Sequence, residues 1–126
     1  MLILAAVVAT LAACTSGSGY TDLDREPTPA DVLPTDLPAY ATEDLVEESV
    51  RFAGDDEGVD YYLARRADNG GVCIVVYRSA EAWVTGCGGA NGSVGVGGVG
   101  VNVLAAPDGS PELDDGTRVG ANIVVR

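Results

Sequence analysis

Three glycines in SVGVGGVGVNVL (93–104), Gly95, Gly97 and Gly100, have the G-x-G-x-x-G spacing that lets some loops bring backbone against a pyrophosphate. Such a loop needs a strand before it and a helix opening at its last glycine. Here Gly100 is followed by Val101-Asn102-Val103-Leu104, a strand-like run, and then by Pro107. The stretch therefore reads as strand, and no cofactor is expected. Its valines change parity: Val94 and Val96 share one face, while Val99, Val101 and Val103 share the other. Within one strand that shift would flip the buried face, so a glycine bulge at Gly97 and Gly98 is expected to absorb it.

The remaining chemistry is carboxylate chemistry. The chain has 19 acidic residues, 7 basic residues and no His, for a net charge of −12, and every basic residue is Arg. Without His or Lys, the imidazole and amine bases and a Ser-His-Asp triad are excluded. Two acidic sets could supply the carboxylate pair of a glycosidase: Asp55, Asp56, Glu57 and Asp60, and Asp108, Glu112, Asp114 and Asp115. The second set also offers hard oxygen ligands for calcium. Both sets fall in Gly/Pro-rich turns, where solvated acids are the ordinary outcome, and DGSPELDDG (108–116) lacks the glycine of an EF-hand loop at its sixth position. Neither catalysis nor a metal is expected from them. The acidity also speaks against nucleic acid and anionic head groups as direct partners, since both would be repelled.

The compartment is read from the N-terminus. Residues 2–13 (LILAAVVATLAA) carry no charge, and twelve residues fall short of the roughly 20 needed to span a bilayer. They suit the apolar region of a secretory signal over residues 1–13, although no Lys or Arg precedes them. Leu11-Ala12-Ala13-Cys14 resembles the bacterial lipobox. That resemblance implies diacylglyceryl attachment to the Cys14 thiol, cleavage just before it, and display on the extracytoplasmic face of the cell membrane. Two acyl chains on one residue meet the requirement for stable anchoring. With Cys14 lipidated, Cys73 and Cys87 remain as a pair, and outside the cytoplasm a disulfide between them persists.

These residues have to be positioned by a small fold. Residues 14–41 hold four prolines, several Ser, Thr and Gly, and few large apolar side chains, so they read as a disordered acidic tether. Thr42 is expected to cap a short helix over 43–48, with Glu43 and Asp44 in its first turn. From Val50 onward, apolar and polar residues alternate, and GDDEG, DNGG, GGANG and APDGSPELDDG supply turns. Six candidate strands result, the last over RVGANIVVR, with Val119, Ala121, Ile123 and Val125 on one face. The expected fold is mainly β: an antiparallel meander over 42–126 forming a small sandwich or barrel.

Pairing of 72–78 with 82–87 about Ala80 sets Cys73 opposite Cys87, Val75 opposite Thr85 and Tyr77 opposite Trp83. The alternative is a shifted register with an oblique bond. Tyr61, Tyr62, Tyr77 and Trp83 concentrate aromatic surface in one half of the sheet, framed by Arg65, Arg66 and Arg78. Some of these rings are expected in the core, Trp83 first among them, and whichever tyrosines face outward form the candidate binding surface. The run ESVRFAGDDEGVDYYLARR, with GVCIVVY and AWVTGCGG, resembles small secreted or lipid-anchored proteins of high-GC Gram-positive bacteria, and that resemblance implies no particular activity. The functional expectation is a lipid-anchored, non-enzymatic module binding an envelope protein or ligand. The alternatives are a secreted hydrolase-like enzyme using acidic loop residues and a purely structural envelope protein.

Overall fold

The computed structural model describes residues 18–68, 70–88 and 93–126. Cys14, the signal-like stretch 1–13 and residues 14–17 lie outside them. Alternating β-branched and aromatic residues form the strands, and turns with positive-φ residues end several of them. Strands β1 (Arg51–Asp56), β2 (Val59–Arg65), β3 (Val72–Ser79) and β4 (Ala82–Cys87) make one sheet in the order β1-β2-β3-β4. Strands β5 (Val94–Gly98), β6 (Val101–Ala105), β7 (Thr117–Val119) and β8 (Ile123–Val125) make a second, in the order β5-β6-β8-β7. All pairings are antiparallel. The architecture is a small β sandwich. Among the described residues no helix is long and apolar enough to cross a membrane.

Among the described residues eight strands stand where six are expected, because two segments read as single strands each fold in half. In the first, β5 and β6 pair without interruption from Val94↔Ala105 to Gly98↔Val101. The bulge expected at Gly97 and Gly98 is absent. Val99 and Gly100 both have positive φ, 47° and 82°, which is the two-residue hairpin geometry that follows the sheet's natural twist. The hairpin itself returns Val101 and Val103 to the face of Val94 and Val96, which explains the change of parity. In the second, Gly120, Ala121 and Asn122 turn between β7 and β8, so Ala121 leaves the strand face and Asn122 becomes fully buried.

The core lies between the sheets. It contains Val59, Tyr61 and Leu63 of β2, Ile74 and Val76 of β3, and Val103, Ala105 and Ile123 of the second sheet. The opposite face of β2 and β3 is covered too. There Leu45 and Val50 pack on Tyr62, Ala64, Cys73 and Val75, with Leu33 and Leu37 beside them. A third, smaller cluster seats Leu113 against Ala106 and Val124.

That covering corrects the tether reading for residues 18–41. Tyr20 and Leu23 enter the inter-sheet core at 4% and 7% exposure. A single helical turn, Thr21–Asp24, leads into short 3-10 turns at Pro29–Asp31, Ala39–Ala41 and Glu47–Ser49. Together residues 26–50 form a strap over the outer face of the first sheet. Average composition hid it, because a few spaced apolar residues among prolines suffice when a sheet face is waiting for them. The helix expected over 43–48 is likewise absent. Leu45 forms a β-bridge with Arg66, and the Val46 amide donates to the Arg65 carbonyl. A two-turn helix is marginal by itself and loses to this pairing. The Thr42 hydroxyl donates to the Ala39 carbonyl and caps nothing downstream.

Candidate functional site

The expected hairpin register is the one observed. Cys73 faces Cys87, Val75 faces Thr85, and Tyr77 faces Trp83. Cys73 and Cys87 form a disulfide with their α-carbons 4.0 Å apart, the close approach of a non-hydrogen-bonded pair. Extending that register across β2 and β1 gives a row on the outer face: Asp55 opposite Asp60, Asp60 opposite Tyr77, and Tyr77 opposite Trp83.

The strap completes the row. Tyr40, 67% exposed, sets its ring 5.7 Å from that of Trp83 at an interplanar angle of 50°. The Tyr77 hydroxyl donates to both Asp36 carboxylate oxygens, at 2.9 and 2.8 Å. That bond, with burial and the charges of Asp36 and Glu81 adding to it, raises the Tyr77 phenol above its ordinary value. Burial, and then the facing Asp55 carboxylate, raise Asp60. The resulting surface carries three aromatic rings and four carboxylates: Tyr40, Tyr77 and Trp83 with Asp36, Asp55, Asp60 and Glu81.

The other expected binding residues are elsewhere. Tyr61 is fully buried between the sheets, and Tyr62 is buried under the strap, packed on Phe52 with ring centroids 5.3 Å apart. Adjacent residues of a strand point to opposite faces, and in this sheet both faces are covered. Arg65 and Arg66 lie at the opposite end of β2 from the aromatic row. Arg65 is 3.8 Å from Asp24, and Arg66 Nε is 2.9 Å from Asp68. Arg78 shares the aromatic end but emerges on the other face, donating to the Val99 carbonyl at 3.1 Å. The expected frame of arginines is therefore not assembled. Tyr40 and Asp36 were missed because they sit in the segment read as tether, and the one available signal was an exposed-type aromatic isolated among prolines.

Beside the row, the strap folds around a cavity of about 520 Å³ lined by Val32, Leu33, Pro34, Leu37, Leu45 and Glu47, among others. Asp31 at its edge is already engaged. It takes a paired hydrogen bond from the Arg25 guanidinium and one each from the Thr28 and Phe52 amides. Burial alone would raise this carboxyl, but these donors hold it well below the usual carboxylate range.

The calcium candidates do not converge. Asp108 accepts hydrogen bonds from Thr21 and Asn122, Asp114 pairs with Arg118 at 2.9 Å, and Asp115 lies 3.8 Å from Arg126. Among the described residues no three metal-ligating side chains come together. Glu57 occupies the β1–β2 turn at φ 50°, while Asp55 and Asp60 face one another across the pair and Asp56 faces Val59. Gly95 and Gly97 lie exposed on β5, and Gly100 leads into strand β6, with no helix at the end of the motif. Compared with protein-family models, curated proteins and solved structures, the chain matches none.

Proposed function

We propose that the chain is a non-enzymatic binding module of the cell envelope, held on the extracytoplasmic face of the membrane by diacylglyceryl-Cys14. The observation that carries this reading is the exposed Tyr40 ring set against the half-buried Trp83, with Tyr77 and Asp36 beside it. Amphipathic rings of this kind supply contact area at little conformational cost, which is what a binding face needs. The Cys73–Cys87 disulfide supports an oxidising location and leaves Cys14 as the remaining cysteine.

The ordered strap changes the geometry of this proposal. Only residues 15–17 separate Cys14 from Ser18, a reach of about 14 Å at roughly 3.5 Å per residue. The Ser18 amide bonds the Asp24 carboxylate, and Asp24 lies beside Arg65. The aromatic row is at the other end of the same sheet, about five residues and roughly 17 Å further along the strands. Anchoring at Cys14 would thus hold the domain close to the bilayer with the aromatic end directed away from the attachment point.

The test is proximity cross-linking on intact cells with mass spectrometry of the Cys14 peptide. Diacylglyceryl on Cys14, and a cross-linked partner lost on Tyr40→Ala with the disulfide and circular dichroism unchanged, are expected. An unmodified Cys14 overturns the anchor, and cross-links indifferent to Tyr40→Ala overturn the binding face. The hydrolase alternative has one observation in its favour, the facing Asp55 and Asp60 carboxylates. They line no part of the cavity in the strap.

A further inference from the structure

The binding face has a chemistry that narrows its ligand. An exposed Tyr40 ring is tilted against the half-buried Trp83, and the π faces of Trp and Tyr attract cations. Asp36 and Glu81 lie beside the neighbouring Tyr77, and Asp60 and Asp55 continue the row two and three strands from Trp83. Asp55 and Asp60 stand directly opposite one another across β1 and β2, a like-charge placement that works against the sheet. The chain's own cations are spent elsewhere. Among the described residues, Arg25, Arg65, Arg66, Arg118 and Arg126 pair with Asp31, Asp24, Asp68, Asp114 and Asp115, and Arg78 binds a carbonyl on the other face. Arg51 donates to the Arg25, Glu48 and Val50 carbonyls. Aromatic faces set among carboxylates that no arginine neutralises are complementary to a planar cation.

We infer that the aromatic row docks an arginine side chain of a partner protein, its guanidinium stacked on the Tyr40–Trp83 pair and its N–H fork directed to the neighbouring carboxylates. This rests on the binding-module reading and names its ligand. Guanidinium fits better than ammonium for two reasons. It stacks flat on aromatic rings, and its fixed fork matches carboxylate geometry, whereas an ammonium is a strongly hydrated point charge. Asp36 already accepts from Tyr77, but each carboxylate oxygen retains a second acceptor site for the incoming fork.

Trp83 is the single tryptophan of the chain, so its fluorescence reports on this site. The folded, disulfide-intact protein is titrated at constant ionic strength with acetyl-Gly-Arg-Gly-amide and with its lysine and citrulline counterparts. Citrulline keeps the shape of arginine without its charge. A saturable Trp83 response in the order arginine, lysine, citrulline is expected, with millimolar affinity for an isolated side chain. Tyr40→Ala weakens arginine binding about 3-fold or more and Tyr40→Phe retains it, since a cation–π contact needs the ring and not the hydroxyl. Asp36→Asn weakens it as well. Equal responses to arginine and citrulline overturn the inference, and a lysine response equal to or above arginine overturns the guanidinium assignment. A silent Trp83 alongside a Tyr40-dependent cellular cross-link overturns arginine docking while leaving the binding module standing. Loss of both takes down the two readings together.

Discussion

Tyr61 shows how a single residue's fate depends on which side of a strand it occupies. Its neighbour Tyr62 lies under the strap, whereas Tyr61 is sealed between the sheets with a hydroxyl that meets no hydrogen-bond partner among the described residues. Burial, the largest cause, raises its phenol above the ordinary range. A buried hydroxyl without a partner carries its desolvation cost uncompensated. Tyr61→Phe is therefore expected to stabilise the fold by about 1 kcal/mol, read as a higher urea midpoint at unchanged slope. A lower midpoint would show that the hydroxyl is satisfied. The sequence marks both tyrosines as aromatic strand residues. It does not show that the outer face is covered, and so it counted both as candidate surface.

Among the elements, Asp31 clamps the start of the strap to the first sheet. Asp31 joins the Arg25 guanidinium, the Thr28 amide of its own turn and the Phe52 amide of β1, tying residues 25–31 to the sheet edge. Its carboxyl is held below the unfolded value near 4, so the sign is that of a depressed acid. The stabilisation is present above pH 4 and is lost as pH falls below it toward the folded value. Stability from this group should be flat between pH 5 and 7 and decline below about 4. Asp31→Asn should cost about 2 kcal/mol at neutral pH and flatten the acid limb, both measured by urea unfolding across pH. An unchanged acid limb would remove Asp31 from the account. Thr28 and Asp31 form a capping box, the Asp31 side chain reaching back to the Thr28 amide, in a segment whose composition read as tether. The β5–β6 hairpin was not legible either, since its turn places Val99, a β-branched residue, at positive φ, where Asn or Asp would ordinarily signal it.

For the molecule as a whole, the first sheet is a middle layer, with the second sheet on one side and the strap on the other. A chain beginning at Arg51 would expose Tyr62, Cys73 and Val75 and remove Tyr20 and Leu23 from the core. It is expected to lose cooperative unfolding and its near-ultraviolet circular dichroism at 25 °C. Cooperative unfolding of that shortened chain would return residues 18–50 to the status of a dispensable tether. Sequence alone determined the β class, the strand positions from Val59 to Cys87, and the pairing of Cys73 with Cys87. These follow from a period-2 pattern and from short turns, in which residues close in sequence fix register. Tertiary structure decided what depends on distant partners. It set the ordering of a Pro-rich segment by an uncovered sheet face and the burial of Tyr61 and Tyr62. It also placed the arginines away from the aromatic row, and brought Tyr40 and Asp36 onto Trp83 and Tyr77, more than 40 residues later in the chain. Contacts of that range leave no local periodicity, because they are selected by the free energy of covering a face that forms only when the sheet does.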